Sequence, residues 1–277
     1  MTLKGRSEGR ATAASQRRSA ASRPMARAAA PVPVIARQDD NPLDFKASLC
    51  TQILAIANRR SGEKTALRLM VEGLTLLGQL GFRDLNIDDV VNAANVAKGT
   101  FYIHFPSKDD FLLKLAERYV AFEASTVPGE LHGESRFGQM RSWVAWYERI
   151  FAVNIGILRA LVQMGDINAD MRALWHRRNA TIVDSAMASY YEREGRADPI
   201  VRFAVRIAGG MLDQSLFERL QVHVGPGLRE PENDELREEL HTLLLFRAVF
   251  GRDPPLSELT HSRALTDWSR DRTAHWK

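Results

Sequence analysis

NIDDVVNAANVAKGTFYIHFPSK, residues 86–108, reads as two short helices joined by a tight turn. Asn86 stands before a run in which Ile87, Val90, Val91 and Ala94 recur at helical spacing. Its side-chain oxygen suits an N-cap, accepting from backbone donors that a helix start leaves orphaned. The spacing predicts a helix from Ile87 to about Ala94. Asn95 follows where the chain must turn sharply, and Asn tolerates a left-handed backbone better than other non-glycine residues. Val96 plugs the angle between the helices. A second helix is expected from Ala97 to Phe105, with Phe101 and Phe105 four apart and facing inward. Its other face carries Lys98, Thr100, Tyr102 and His104, side chains suited to phosphate and base-edge contacts in a DNA groove. Pro106 ends that helix, and Ser107 caps the next one, which begins at Lys108.

Upstream, LRLMVEGLTLLGQLGF (67–82) places Leu67, Met70, Val71, Leu74 and Leu77 on one stripe of a scaffold helix, with Gly81 as its C-cap. Together with KGTFYIHF (98–105) and FPSKDDFLLKL (105–115), this order of parts resembles the DNA-binding region of the TetR/AcrR family of repressors. The resemblance covers roughly a fifth of the chain. It departs from the family at two positions: Asn95 stands where Gly is usual at the turn, and Ala97 where Ser or Thr usually caps the recognition helix. The missing cap costs about 1 kcal/mol.

Position by position, the resemblance implies that Lys98, Thr100, Tyr102 and His104 meet DNA, with Gly99 small enough to let the helix approach the backbone; Asn86, at the start of the first helix, is also a DNA-binding candidate. Lys108 would neutralise a phosphate, helped by the free N–H groups and positive dipole end of the helix it starts. Blander roles compete. Tyr102 can be a partly buried aromatic, His104 can pack against the first helix, and Lys98 and Lys108 can be solvated charges.

A chain of 277 residues with 45% hydrophobic content can bury a substantial core in one or two domains. One cysteine, Cys50, excludes an internal disulfide framework and points to a reducing, cytoplasmic home. No apolar run reaches the length needed to span a bilayer, so no membrane partner is expected. The seven histidines, from His104 to His275, show no ligand spacing, and no metal, nucleotide loop or other cofactor is expected. Charge is uneven. Residues 1–38 hold eight basic residues, Lys4, Arg6, Arg10, Arg17, Arg18, Arg23, Arg27 and Arg37, against Glu8. That segment is +7 within a chain of +4, which leaves −3 for the remainder. Residues 1–40, rich in Ala, Arg and Ser and broken by Pro24, Pro31 and Pro33, read as a disordered basic arm able to add sequence-independent phosphate contacts. An inert or mis-started tail is an equal reading, and a transit peptide a weaker one.

Residues 41–62 add a helix, with Phe45, Leu49, Ile53, Ile56 and Ala57 at helical spacing, and a basic junction RRSGEK (59–64). Arg59, Arg60 and Lys64 are expected to touch DNA backbone; the glycine spacing is not that of a phosphate loop. The DNA-reading unit then occupies 63–120. Residues 121–250 show only helical patterns, at Phe137 to about Gln163, Ile167 to about Glu194, Pro199 to about Val222 and Asn233 to about Phe250. Residues 251–277, with Pro254–Pro255, Trp268 and Trp276, read as a tail. The fold class is therefore all-α: an N-terminal helix-turn-helix domain followed by a helical ligand-binding and dimerisation domain.

In the family resembled, the last two long helices form a four-helix dimer bundle. Here Gly209–Gly210 in mid-helix, with Leu244, Phe246 and Phe250 on the last helix, are the interface residues expected. The helices that surround the inducer in that family carry Trp143, Trp146, Tyr147, Phe151, Met164, Met171, Trp175, Met187 and Tyr190, suited to an apolar or aromatic effector. Each is also ordinary core material. Gln163, Asn168, His176 and Gln214 are polar residues available to orient a ligand. The leading functional expectation is a non-enzymatic homodimeric repressor, released from a palindromic operator on double-stranded DNA by a small-molecule effector. An effector-independent architectural DNA-binding protein using the arm is the alternative, and a helical-bundle enzyme a third.

Overall fold

The computed structural model describes residues 41–57, 61–129, 135–187, 198–220 and 233–267, and its regular elements are all helical. The basic arm, Arg59, Arg60, Tyr190, Trp268 and Trp276 lie outside the described residues. No described helix is long and apolar enough to cross a membrane.

The DNA-reading unit follows the expected order. Helix α1 (Phe45–Ala55) starts on Asp44, whose carboxylate accepts from the Ala47 N–H at 3.2 Å. Helix α2 (Gly62–Leu80) ends at Gly81, at φ 79°, which returns its N–H to the Leu77 carbonyl. Asn86 caps α3 (Ile87–Ala93) by accepting from the Asp88 N–H at 2.7 Å. Asn95 then makes the turn at φ 52°, the one positive value among the described non-glycine residues. Helix α4 (Lys98–His104) begins on Ala97, which gives no side-chain cap. Ser107 caps α5 (Lys108–Thr126).

An aromatic knot fixes α4 on its support. Phe101, Phe105 and Phe111 lie with centroids 5.0–5.5 Å apart, all buried. Phe111 nests against Gly73 of α2, where a Cβ would stand 2.5 Å from its ring. Arg68 donates to the Ala94 carbonyl at 2.8 Å and satisfies an orphan acceptor at the end of α3.

The second half differs from expectation at two places. The helix expected over 137–163 is two, α6 (Arg136–Val153) and α7 (Ile155–Gly165). Asn154 interrupts them because its amide serves the start of α1: Oδ1 accepts from Phe45 N–H at 3.0 Å, and Nδ2 donates to Leu43 O at 2.7 Å. Helix α8 (Ala169–Ala186), α9 (Pro199–Leu220) and α10 (Asp234–Phe250) follow. Asn168 is the N-cap of α8, accepting from Asp170 and Met171 N–H groups, so its amide is spent on the backbone. α10 packs on α6 and α9, α7 on α8, and α2 crosses α7 at Gly78 and Gly156.

The described part of the expected tail is packed. Glu239 of α10, fully buried, accepts from the N–H groups of Thr260, His261 and Ser262 and from the Ser262 hydroxyl. Pro254, Leu259, Ser262 and Thr266 are buried with it.

Candidate nucleic-acid interface and effector cavity

With Phe101 and Phe105 turned inward, α4 presents Tyr102 and Ile103 to solvent, the latter 80% exposed. Ile103 was not among the residues expected to meet DNA. Its signal was an isoleucine on the side opposite the Phe101–Phe105 stripe. Gly99 is exposed, with open space where a Cβ would be. Thr100 is half-buried beside it. Lys98 pairs with Asp88 of α3 at 2.7 Å, and that hydrogen bond, more than the charge alone, raises its ammonium pKa. Both groups are about half exposed, so the pair is weak and a phosphate can replace the carboxylate.

The other expected contacts have structural partners. His104 is half-buried against the start of α2, its ring 3.3 Å from where a Cβ of Gly62 would stand. Lys108 donates to the carbonyls of Leu85 at 2.5 Å and Arg83 at 3.4 Å, which leaves one of its three donors. Lys64 donates to the Ile56 carbonyl at 3.2 Å and closes the α1–α2 junction. Asn86 uses its side chain as the α3 cap.

A cavity of about 620 Å³ opens between α6, α8 and α9. Trp143, Tyr147 and Trp175 line it, with His176, Phe203 and Asp213. Trp146, Phe151, Met164, Met171 and Met187 are buried and absent from its wall, because their helices turn those faces into the core. Gln163 and Gln214 are exposed, and Gln214 bonds Glu218 at 2.7 Å. Gly209 and Gly210 border the cavity with open space beyond each Cα, so within the described chain they make no close helix contact.

Residues 69–115, which span the end of α2, the helix-turn-helix and the start of α5, match the family described as bacterial regulatory proteins, tetR family. Residues 69–115 are thus a tetR-family helix-turn-helix domain. It is 36% identical over 62 residues to the HTH-type transcriptional regulator EthR of Mycobacterium tuberculosis, 22% of this chain and 29% of that protein. Over 135 residues it is 30% identical to the transcriptional regulator AcuR of Cereibacter sphaeroides, 43% of this chain and 61% of that one. The uncharacterized HTH-type regulator YvdT of Bacillus subtilis is 29% identical over 36% of its length. The chain therefore aligns with about a third of EthR and YvdT and under two thirds of AcuR. A solved Mesorhizobium loti protein assigned to the TetR family shares the fold, with TM-score 0.53, 13% identity and coverage of 71% of this chain and all of that one.

Beyond that domain, α5 leads from the DNA-reading unit into a buried ionic cluster that the sequence reading missed. Glu123 of α5 receives Arg178 of α8 through Nε at 2.7 Å and Nη2 at 2.6 Å, both residues 1% exposed. The Tyr119 hydroxyl donates to Glu123, and Tyr147 donates to Asp213 of α9 while lying 3.3 Å from Arg178 Nη2. Burial pushes both tyrosine hydroxyls well above their usual pKa. The sequence signal was a charge inside an apolar stripe: Arg178 falls between Leu174 and Ile182 of α8, all three buried.

A second cluster ties α6, α9 and α10. His241 meets Glu148 through Nδ1 at 2.7 Å and Ser215 through Nε2 at 2.9 Å, and Arg237 holds the other Glu148 oxygen at 3.0 Å. Burial opposes the Glu148 charge, but His241 and Arg237 outweigh it and hold the carboxyl below its usual range. The order resembles a serine–histidine–carboxylate relay, yet Ser215 lies inside α9 and outside the cavity wall. Its geometry is that of an interhelical tie.

Of the expected dimer residues, Leu244 is partly exposed, whereas Phe246 is buried against Phe137 and Phe250. The larger exposed apolar set is on α9, where Ile200, Phe203, Ile207 and Met211 are each more than half exposed.

Proposed function

We propose that this chain is a sequence-specific DNA-binding transcriptional regulator, acting in the cytoplasm as a homodimeric repressor and released from its operator by a small molecule in the α6–α8–α9 cavity. The observation that carries it is the outward face of α4, with Tyr102 and Ile103 raised on the Phe101–Phe105–Phe111 knot within a tetR-family domain. The phenol and the Thr100 hydroxyl suit base edges or phosphates, and Ile103 suits a thymine methyl in the major groove. Lys98 exchanges Asp88 for phosphate. EthR and AcuR, similar over part of this chain, are named as transcriptional regulators.

The exposed apolar residues of α9, with Gly209, Gly210 and Leu244 beside them, support a two-fold dimer built on α9 and α10. Two recognition helices then read half-sites about one helical turn apart. An effector acts by binding more tightly to the dimer geometry that misplaces those helices. The eight basic residues of the arm favour a second contribution, sequence-independent phosphate contact, and in the extreme an architectural protein without operator preference.

Selection from a pool of random duplexes tests the reading. Recovery of one near-palindromic motif is the expected result; a bound pool with no enriched sequence would leave only the architectural role.

A further inference from the structure

The walls and the charge of the cavity together specify a class of ligand, an inference that rests on reading the cavity as a binding site. Trp143 and Tyr147 stack in its wall with centroids 5.2 Å apart and planes 8° from parallel, and Trp175 and Phe203 complete an aromatic lining. Asp213 is the acidic residue of that lining.

Charge in the adjoining cluster does not balance. It holds two carboxylates, Glu123 and Asp213, against one guanidinium, Arg178. Glu123 takes that guanidinium in a bidentate pair, while Asp213 receives the neutral Tyr147 hydroxyl. Among the described residues, one negative charge is thus left without a direct counter-ion at the cavity wall. Burial pushes the Asp213 carboxyl up, with Arg178 and the Tyr147 hydrogen bond opposing. Arg178 lies over the rings of Tyr147 and Trp175, at 5.6 and 5.0 Å, with its charge taken by Glu123, and the cations of the lining itself are exposed. Arg202 is held by Asp184 at 2.8 Å, and Arg206 is exposed over the Phe203 ring, where water screens it. His176 is exposed as well.

We propose that the cavity takes an organic cation, a protonated amine or quaternary ammonium on an aromatic or alkyl body, with its positive centre held by Asp213 against the cavity-facing rings of Trp143, Trp175 and Phe203. Aromatic faces attract a cation through their quadrupole, and a desolvated carboxylate beside them adds the countercharge. Neutral and anionic ligands of the same shape gain the apolar contact alone or meet repulsion.

The test uses the full chain and tryptophan fluorescence, since Trp143 and Trp175 line the cavity. Three probes share one skeleton: (3-phenylpropyl)trimethylammonium, 4-phenylbutyrate and 4-phenyl-1-butanol. The ammonium should bind roughly tenfold or more tightly than either of the others. Asp213→Asn, which keeps an acceptor for Tyr147, should lose that preference, and Asp213→Glu should keep most of it. Unchanged ammonium affinity in a folded Asp213→Asn protein overturns the assignment, as does tighter binding of the carboxylate or no ammonium binding at millimolar concentration. Release of DNA by the alcohol or carboxylate, but not by the ammonium, sinks the cation site and leaves the effector reading standing. Asp213-dependent ammonium binding without any change in DNA affinity does the reverse.

Discussion

Asn95 carries the turn of the helix-turn-helix at φ 52°, and a β-branched side chain there meets the steric cost of the left-handed region. Asn95→Val should destabilise the chain by about 1–2 kcal/mol in urea unfolding, whereas Asn95→Gly should be close to neutral. Two residues on, Ala97 leaves the first N–H groups of α4 without a side-chain partner. Ala97→Ser should raise stability by about 1 kcal/mol. Such local chemistry was legible in the sequence: Asn86, Asn95, Gly81 and Ser107 all occupy the caps and turns their residue types predicted. Ile103 was not singled out although it lies opposite the Phe101–Phe105 stripe, because an aliphatic side chain carries no polar group to mark it as a contact and a lone exposed one is ordinary. The partners of Lys98, His104 and Lys108 were likewise hidden, since Asp88, Gly62 and the Leu85 carbonyl come near them only through the tertiary fold.

Among the elements, the crossing of α2 and α7 joins the DNA-reading unit to the second half of the chain. A Cβ on Gly156 would stand 3.0 Å from Gly78 Cα and N, which are backbone atoms and cannot swing away. A Cβ on Gly78 meets open space. Gly156→Ala should therefore lower the thermal midpoint, while Gly78→Ala should hold or raise it through helix propensity of about 1 kcal/mol. The segment after α10 depends on Glu239. Burial works against that charge, yet the Ser262 hydroxyl and the backbone N–H groups of 260–262 outweigh it and lower the carboxyl from its ordinary 4.5. A carboxyl lowered on folding contributes stability that is complete above the ordinary value and fades as pH falls through the folded one. Glu239→Gln should cost about 1–3 kcal/mol at neutral pH, and its deficit should shrink in acid as the native carboxylate protonates. Periodicity revealed these helices but not their joints. Asn154 breaks α6 from α7 only because its amide meets residues 43 and 45, more than a hundred positions away.

At the scale of the whole molecule, α9 leaves Ile200, Phe203, Ile207 and Met211 more than half exposed, a surface suited to burial against a second copy. Phe203→Glu combined with Met211→Glu should shift the sedimentation coefficient from dimer to monomer without loss of helical circular dichroism. The all-helical architecture was readable from residues 86–108 and the breakers farther on; the cavity wall was not, because which aromatics face it depends on how α6, α8 and α9 pack. The most direct test of regulation through α4 is fluorescence anisotropy with duplexes tiled across the DNA beside the gene, titrated in moderate salt against a scrambled duplex. Tight binding to one near-palindromic tile, lost in Tyr102→Ala and Ile103→Ala and retained in a chain beginning at Asp39, is the predicted result. Equal, salt-labile binding to every tile, unaffected by those substitutions and abolished by removing the arm, would contradict it.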